Sequence, residues 1–591
     1  MCGIFFSLAA SNSVLPNEET CALLRGRGPD NYHAHTIQRK VIDTHLTSGA
    51  SATIFLSFVS TLLSMRGDHV VPQPLVDATT GSVLCFNGDA WKIDGEPIDG
   101  NDAELIFSLL LKAVDRPTAD SPEQQDSTGA TQRVVDVVSS ISGPFAFVFY
   151  DAINSRIFFT RDCLGRRSLL QGVDDKGNFK ICSLCDSTSA NHFSEVETDG
   201  IYMIDLEHAF DTPASGSAAS FAIDSIHTLP WDQDQSHLRP RNPIPSMNRS
   251  LPDGSSAPSL TTETPVISAL EQKLHQSLAL RIQNVREPPT SPTGSRVKVA
   301  VLFSGGLDCS LLARLSHEIL PEDETIDLLN VAFENPRVAA AAAKQGGAVG
   351  SVYESCPDRM TGRSAFAELQ KVCPSRNWRF VAINIPYTET LAHRDTVKRL
   401  MRPHNTEMDL SIACALYFAS RGQGQAYDSH PQEGSHEPTP YTTSARVLLS
   451  GLGADELFAG YSRHGVAFSR DGFAGLIEEI NLDVSRLGKR NLGRDNRVIA
   501  HWGREARFPF LDEDFVSWVV QLPVWEKCGF GTTATELPSE AGIDSEKKAL
   551  RLVALRLGMT SVAREKKRAI QFGSRTAKME KGRVKGTDAL S

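Results

Sequence analysis

The 591-residue sequence predicts two domains of different class, an α+β half followed by an α/β half, and three observations carry that expectation. Residues 1–210 hold short β-branched or aromatic segments bounded by Gly, Asn and Asp, with one helical stretch among them. Val297-Lys298-Val299-Ala300-Val301-Leu302-Phe303 is instead a nearly continuous apolar run, the pattern of a strand buried in a parallel sheet, and a Gly turn and helical spacing follow it. Between the two, residues 211–262 are rich in Pro, Ser and Asn without periodicity and read as a linker, so the expected domains are 1–210 and 263–591.

In the first half, strands are expected at 81–86, 144–150 and 156–160, with a helix at 103–114. The second half opens with Val266, Ala269, Leu270, Leu274, Leu278 and Ile282 at helical spacing. Strands at 297–303, 326–333, 380–385 and 446–449 follow, each beside a helical stretch, before a mostly helical C-terminal part. Residues 116–132 and 423–443 have low complexity and are expected to be exposed loops.

Composition narrows the function classes. With 41% hydrophobic and 22% charged residues and a net charge of -11, the body is not that of a nucleic-acid binder, and the basic stretch 578–585 reads as a solvated tail. No apolar run is long enough to span a bilayer, and residues 1–20 lack a leader pattern, so a cytoplasmic protein is expected. Eleven Cys, an odd number scattered over a long chain, fit reduced thiols; Cys182-Ser183-Leu184-Cys185 has zinc-pair spacing but no second pair, and reads as part of a strand.

Three motifs carry chemistry. In Met1-Cys2-Gly3-Ile4, removal of Met1 places an α-amino group beside the thiol, and with a pKa of about 7.7–8.0 that amine can act as the base for the nucleophile. Ser304-Gly305-Gly306-Leu307-Asp308-Cys309-Ser310 lies where a buried strand hands over to a helix, a site for phosphate, with Asp308 suited to a bridging magnesium ion. Ser450-Gly451-Leu452-Gly453-Ala454-Asp455-Glu456 repeats that arrangement after Val447-Leu448-Leu449, which suits a nucleotide across the carboxyl ends of the strands. Neither loop has the GxxxxGK[ST] pattern, which disfavours γ-phosphate transfer.

Residues 304–310 resemble the SGGLDSS loop of ATP pyrophosphatase domains, and residues 450–461 resemble the SGEGSDE-x-FGGY segment of glutamine-dependent asparagine synthetases. Met1-Cys2-Gly3-Ile4, Arg27-Gly28-Pro29-Asp30, Asn87-Gly88-Asp89, Asp102 and Gly143-Pro144-Phe145-Ala146 are similar, in order, to the class II glutamine amidotransferase domain. Residues 161–166 and 505–512 resemble the family's RDxLG and EARVPFLD segments, so the likeness spans both halves. Residues 326–333, 460–464 and 571–574 look closest to the asparagine synthetase domain-containing branch of that family.

The resemblance implies an Ntn-hydrolase-like α+β glutaminase domain followed by an α/β adenine nucleotide α-hydrolase-like (PP-loop) domain, acting as a ligase on glutamine, ATP and aspartate or another small carboxylate, with a homodimer left open. Cys2 would attack the glutamine amide; Asn87 and Gly88 would stabilise the oxyanion; Asp89 and Asp102 would join Asn87 and Gly88 in binding glutamine. Phe303, Ser304, Gly305, Gly306, Asp308, Ser310, Val331, Ala332, Ser450, Gly451 and Asp455 would bind ATP, with the Val331-Ala332 backbone meeting adenine and Asp308 and Asp455 holding magnesium. Lys567 would neutralise charge during adenylation and transfer.

Two positions depart from the family. Leu62 stands where the synthetases carry the Arg that clamps the glutamine carboxylate, and Arg66 is the expected substitute. Leu452 replaces a Glu at the reacting end of the acceptor, which leaves three alternatives: another carboxylate such as Glu407 or Asp409 takes its place, the acceptor is not aspartate, or transfer has been lost.

Overall fold

The structure, a computed structural model, describes residues 1–591 except 43–50, 116–126, 187–192, 208, 212–219, 232–243, 254–256, 287–296, 345–350, 430–436, 533–537, 580–584 and 591. The chain divides into two compact units, Met1–Pro243 with Gly488–Gly503 and Ile244–Leu487 with Arg504–Ser591. Gly488–Gly503 therefore clusters with the first unit, although its sequence lies within the expected second domain. The helix Leu492–Ala500 is buried along its length, polar residues included, and Arg497 pairs with Glu195 at 2.6 Å.

The first unit is built on two six-stranded sheets. Gly3–Ala9 lies inside one of them, antiparallel to both Ser51–Leu62 and Phe179–Cys182. Val83–Gly88 lies in the other, paired with Phe145–Asp151. Side chains alternate across a strand, and Phe145–Asp151 uses both faces. Ala146, Val148 and Tyr150 join Ile4, Phe6 and Phe58 in one core, while Phe145, Phe147 and Phe149 pack with Leu110, Val114, Val134 and Val138 in a second. That double burial is why the strand reads as an unbroken apolar run.

Helix Asp102–Val114 matches the helical stretch expected from the sequence. Residues 116–132 are not simply an exposed loop: 116–126 lie outside the described residues, and helix Ser127–Ser139 begins at 127 because its Val134, Val135 and Val138 have a core to enter. Part of the expected linker is likewise sheet, since Ile226–Pro230 pairs antiparallel with Gly200–Asp205.

The second unit carries a seven-stranded sheet in the order Thr439–Thr442, Gln423–Asp428, Trp378–Ile385, Ile326–Phe333, Val299–Leu302, Val447–Leu449, Glu505–Arg507. The last five run parallel to one another, and Gln423–Asp428 pairs antiparallel with both Trp378–Ile385 and Thr439–Thr442. Residues 423–443, expected as an exposed loop, thus supply the two outermost strands on that side, Gln423–Asp428 pairing with Trp378–Ile385, whose backbone groups need partners there, and Thr439–Thr442 forming the edge; 430–436 lie outside the described residues. From Val299–Leu302 the chain moves outward to Ile326–Phe333 and Trp378–Ile385, then returns to lay Val447–Leu449 on the other side of Val299–Leu302. That reversal opens a crevice at the carboxyl ends of Val299–Leu302 and Val447–Leu449, and both Gly-rich loops leave from it.

The Arg161-Asp162-Cys163-Leu164-Gly165-Arg166 segment acts as a clamp in the first unit. Asp162 accepts from Arg166 Nε at 2.9 Å and from the Phe145 amide at 3.2 Å, while Arg166 donates to the Gly143 carbonyl at 2.8 Å. Both side chains are 1% exposed, so removing one charge strands the other. Asp162→Ala should cost roughly 3–5 kcal/mol in denaturant unfolding of the full chain. Adding Arg166→Met to it should recover part of that loss.

Candidate functional sites

Each unit holds one candidate site. In the first, Cys2 immediately precedes the central strand, and Gly3 packs so closely on Thr61 and Leu24 that a Cβ there would collide with both. The Cys2 backbone nitrogen donates to Asn87 Oδ1 at 3.0 Å, and its carbonyl accepts from Arg27 Nε at 3.3 Å. Asn87 is fully buried, and its Nδ2 has no hydrogen-bond partner among the described residues. A buried amide donor without an acceptor is costly, and here it sits on the side chain that holds Cys2, as a donor for a developing oxyanion would.

Gly88 ends the strand Val83–Gly88 where a Cβ would meet the Pro144 carbonyl at 2.6 Å, so any side chain would push the strand off its neighbour. Asp89, expected to bind glutamine, is held by Arg167 at 2.8 Å with both groups essentially unexposed. Its carboxylate is thus engaged within the protein and helps fix the turn after Gly88. Asp102 begins its helix and accepts from the Ala90 amide at 2.8 Å and the Ala103 amide at 3.1 Å. Burial pushes its carboxyl up despite the opposing charge of Arg66.

Arg66 donates to the Ala90 and Ile98 carbonyls, each at 2.8 Å. The two positions expected to grip the ends of an amino acid, Arg66 and Asp102, are therefore tied to the same residue, Ala90, through its carbonyl and its amide. Leu62 is 7% exposed at the end of its strand, where its carbonyl accepts from the Asp30 amide at 2.9 Å.

In the second unit, Gly305 has φ +79°, and a Cβ there would lie 2.5 Å from the Gly362 backbone, so both conformation and space require glycine. The loop feeds helix Leu307–Ile319, whose cap at Gly306 has no side-chain bond. The Ser310 hydroxyl is buried without a hydrogen-bond partner among the described residues, and Ser304 Oγ accepts from the Gly306 amide at 3.3 Å. Phe303 is buried and donates its amide to the Leu329 carbonyl at 2.9 Å. Gly451 approaches the first loop so closely that its Cβ would lie 2.7 Å from Asp308 Cβ, while the Ser450 amide donates to the Arg507 carbonyl at 3.0 Å. Val331 and Ala332 pair with Ile383 and Asn384, but on the other side the ladder to Val299–Leu302 stops at Leu329.

Asp308 and Asp455, one from each loop, meet at one ammonium that the sequence reading did not single out. Lys547 Nζ lies 2.7 Å from Asp308 Oδ2 and 2.8 Å from Asp455 Oδ1, and Lys567 Nζ lies 2.7 Å from Asp455 Oδ1. Burial alone would lower the Lys547 pKa, but the two carboxylates outweigh it and raise it. Burial also acts to raise Asp455, yet Lys547 and Lys567 hold its carboxyl down at about 2; Asp308 is pushed up by burial and by Asp455. Lys567 rests 4.0 Å from the Tyr461 ring centroid, and Tyr461 donates to Glu456. Lys547 itself adopts φ +54° and donates its amide to the Phe458 carbonyl at 3.1 Å. The only sequence signal for it is Glu546-Lys547-Lys548 ahead of a helix, which does not say which Lys turns inward.

Of the substitutes for Leu452, Asp409 is committed to its helix start, accepting from the Thr406 hydroxyl at 2.6 Å. Glu407 stands 3.8 Å from Arg394 in a pocket also lined by Arg337, Tyr387 and Cys414. None of the eleven cysteines forms a disulfide, Cys182 and Cys185 are buried, and no cluster of three or more metal-ligating His, Cys, Asp or Glu residues occurs among the described residues. No helix among those residues is long and apolar enough to cross a membrane.

The family model described as asparagine synthase matches residues 474–587. Asparagine synthetase domain-containing protein 1 of Bos taurus is 33% identical, covering 99% of this chain and 97% of its own length. An asparagine synthetase domain-containing protein of Saccharomyces cerevisiae is also 33% identical, over 90% of this chain and 86% of its own. Among solved structures, the glutamine phosphoribosylpyrophosphate amidotransferase of B. subtilis in complex with ADP and GMP matches 59% of this chain and 71% of that one, at 14% identity and a TM-score of 0.21, too low to carry an argument.

The Lys547 bridge makes a direct prediction. Lys547→Met removes a cation shared by two largely buried carboxylates and should lower stability by roughly 3 kcal/mol, with Asp308→Asn in the same chain restoring part of it. Since Asp455 is held below its ordinary value of 3.8, its pairs should stabilise the fold fully above about pH 4 and weaken as pH falls toward 2 in acid titration of thermal stability.

Proposed function

Because the chain belongs to the asparagine synthetase domain-containing protein family, we propose that it is a glutamine-dependent, ATP-driven amide ligase. The observation that carries this reading is the convergence of Asp308, Asp455, Lys547 and Lys567 beside two Gly-rich loops at the sheet's switch point, a charge arrangement suited to nucleotide phosphates. The fold reading that goes with it is an Ntn-type glutaminase unit and a PP-loop synthetase unit, in a cytoplasmic protein whose free thiols suit a reducing compartment.

In the first unit, with Met1 removed, the Cys2 α-amine takes the thiol proton and the thiolate attacks the glutamine amide carbon; Asn87 Nδ2 and the Gly88 backbone stabilise the oxyanion, the amine returns the proton as ammonia leaves, and water hydrolyses the thioester to glutamate. Asp102 and Arg66 bind the amino and carboxylate ends of glutamine. In the second unit the acceptor carboxylate attacks the ATP α-phosphorus and pyrophosphate leaves; ammonia then attacks the acyl carbon, AMP leaves, and the amide remains. Lys547 and Lys567 balance the charge of the departing pyrophosphate.

Two carboxylates meeting on one cation fit magnesium, which is usually held by one or two carboxylates together with phosphate oxygens. Asp308 and Asp455 would hold it, and it would neutralise phosphate oxygens. Aspartate is the default acceptor, giving asparagine. Leu452 favours a second reading, the same chemistry on another small carboxylate, because no anion stands at that position of the loop. Leu62 and Leu452 together also favour a catalytically weak paralogue with a binding role, which would bind ATP without turnover.

Mass spectrometry after incubation with amide-labelled glutamine, ATP, magnesium and aspartate should place label in asparagine. Cys2→Ala should abolish that transfer while leaving ammonia-dependent product. Asn87→Ala should lower glutamine hydrolysis by about 10²–10³. Pyrophosphate release with another carboxylic acid and none with aspartate would move the assignment to that acid, and ATP binding without any release would establish the binding role. Arg66→Ala should raise the KM for glutamine, and an unchanged KM would remove Arg66 from the glutamine site.

A further inference from the structure

Asp358 lies in the first turn of helix Pro357–Val372, 5% exposed, and its carboxylate makes no hydrogen bond or ion pair among the described residues. It does not cap its own helix, which has no side-chain cap bond. Burial pushes its carboxyl up to about 7, with Arg568 opposing and Glu565 reinforcing the shift. A largely buried carboxylate with no hydrogen-bond donor among the described residues is destabilising, so its position favours a donor brought by a ligand.

The surroundings place that carboxylate at the nucleotide crevice. Asn330 Nδ2 donates both to the Asp358 carbonyl and to the Phe303 carbonyl, each at 2.9 Å, which ties the Asp358 peptide to the residue entering the phosphate loop. One turn further along the same helix, the Gly362 backbone is the surface that Gly305 packs against. On the other side the carboxylate lies flat against Gly573, where a Cβ would collide with both of its oxygens. The Phe333 amide donates to the Ser574 carbonyl at 3.1 Å, which brings the end of strand Ile326–Phe333 to the same place. Arg568, the residue after Lys567, donates to the Thr361 hydroxyl at 3.2 Å.

Asp358 thus sits between the phosphate loop and the segment that carries Lys567. It also lies beside the stretch of Ile326–Phe333 beyond Leu329, where the ladder to Val299–Leu302 has ended. A nucleotide whose phosphates occupy the crevice between Val299–Leu302 and Val447–Leu449 can extend its nucleoside over that stretch. We propose that the Asp358 carboxylate is the hydrogen-bond acceptor for a donor group on that nucleoside, the exocyclic amine of the base or a sugar hydroxyl. The proposal rests on the nucleotide reading of the second unit and adds a specificity residue to it.

Equilibrium binding of ATP, 2′-deoxy-ATP, 3′-deoxy-ATP and purine riboside triphosphate, which lacks the exocyclic amine, tests it on the full chain. Asp358→Ala should weaken ATP about tenfold or more. One of the three analogues should bind the wild type more weakly by a similar factor and respond to the substitution little or not at all, which identifies the donor. Gly573→Ala, which displaces the carboxylate without removing it, should produce the same loss for ATP. The thermal midpoint of Asp358→Ala should be no lower than that of the wild type. An unchanged ATP affinity, a lowered midpoint with unchanged affinity, or an equal loss for ATP and all three analogues would overturn the proposal. Wild-type protein that binds no ATP would overturn the nucleotide reading instead.

Discussion

One ammonium group, that of Lys547, joins the two Gly-rich loops of the second unit by standing between Asp308 and Asp455. Two carboxylates brought together at the ends of neighbouring parallel strands would repel each other, and partial burial makes that repulsion stronger than it would be in water. Lys547 resolves it from a distant part of the sequence. The surrounding geometry serves that placement: a left-handed backbone at Lys547, an amide bond to Phe458, and close packing of Gly451 on Asp308. Lys567 adds a second cation on Asp455, steadied over Tyr461.

The first unit meets the same constraint with arginines. Arg166 on Asp162, Arg167 on Asp89 and Arg497 on Glu195 are all buried cations with carboxylate partners, as burial of a charge requires. Their effect is positional. The Asp162 and Asp89 pairs hold the turns beside Gly88, and the Asn87 side chain accepts from the Cys2 nitrogen while its Nδ2 has no partner among the described residues. Rigid support around a small number of unsatisfied groups is the usual way a fold keeps a site ready for a ligand.

Legibility of the fold varied with the kind of signal. Strands and helices with a strong period stood where the sequence placed them, as at Asp102–Val114, Pro265–Ile282 and Ile326–Phe333. Segments that read as an exposed loop (423–443) or a linker (211–262) contain strands where a neighbouring element needs a partner. Gln423–Asp428 is a strand because Trp378–Ile385 has an edge to fill, and Ile226–Pro230 is a strand because Gly200–Asp205 does. Composition reports what a segment would do alone, and an edge strand does not act alone.

At the candidate sites, the loops and their candidate groups are legible along the chain: Cys2, Asn87, the glycines at 88, 305 and 451, and the carboxylates at 308 and 455. Each is encoded locally, by a strand, a turn that only glycine fits, and a functional group at fixed offset. Which distant groups complete them depends on how the folded chain brings them together. Lys547 is drawn to Asp308 and Asp455, Arg167 to Asp89, and Asp358 is packed against Gly573 with no donor among the described residues. Charge pairing and its absence depend on distances through space, and no short-range pattern along the chain records them.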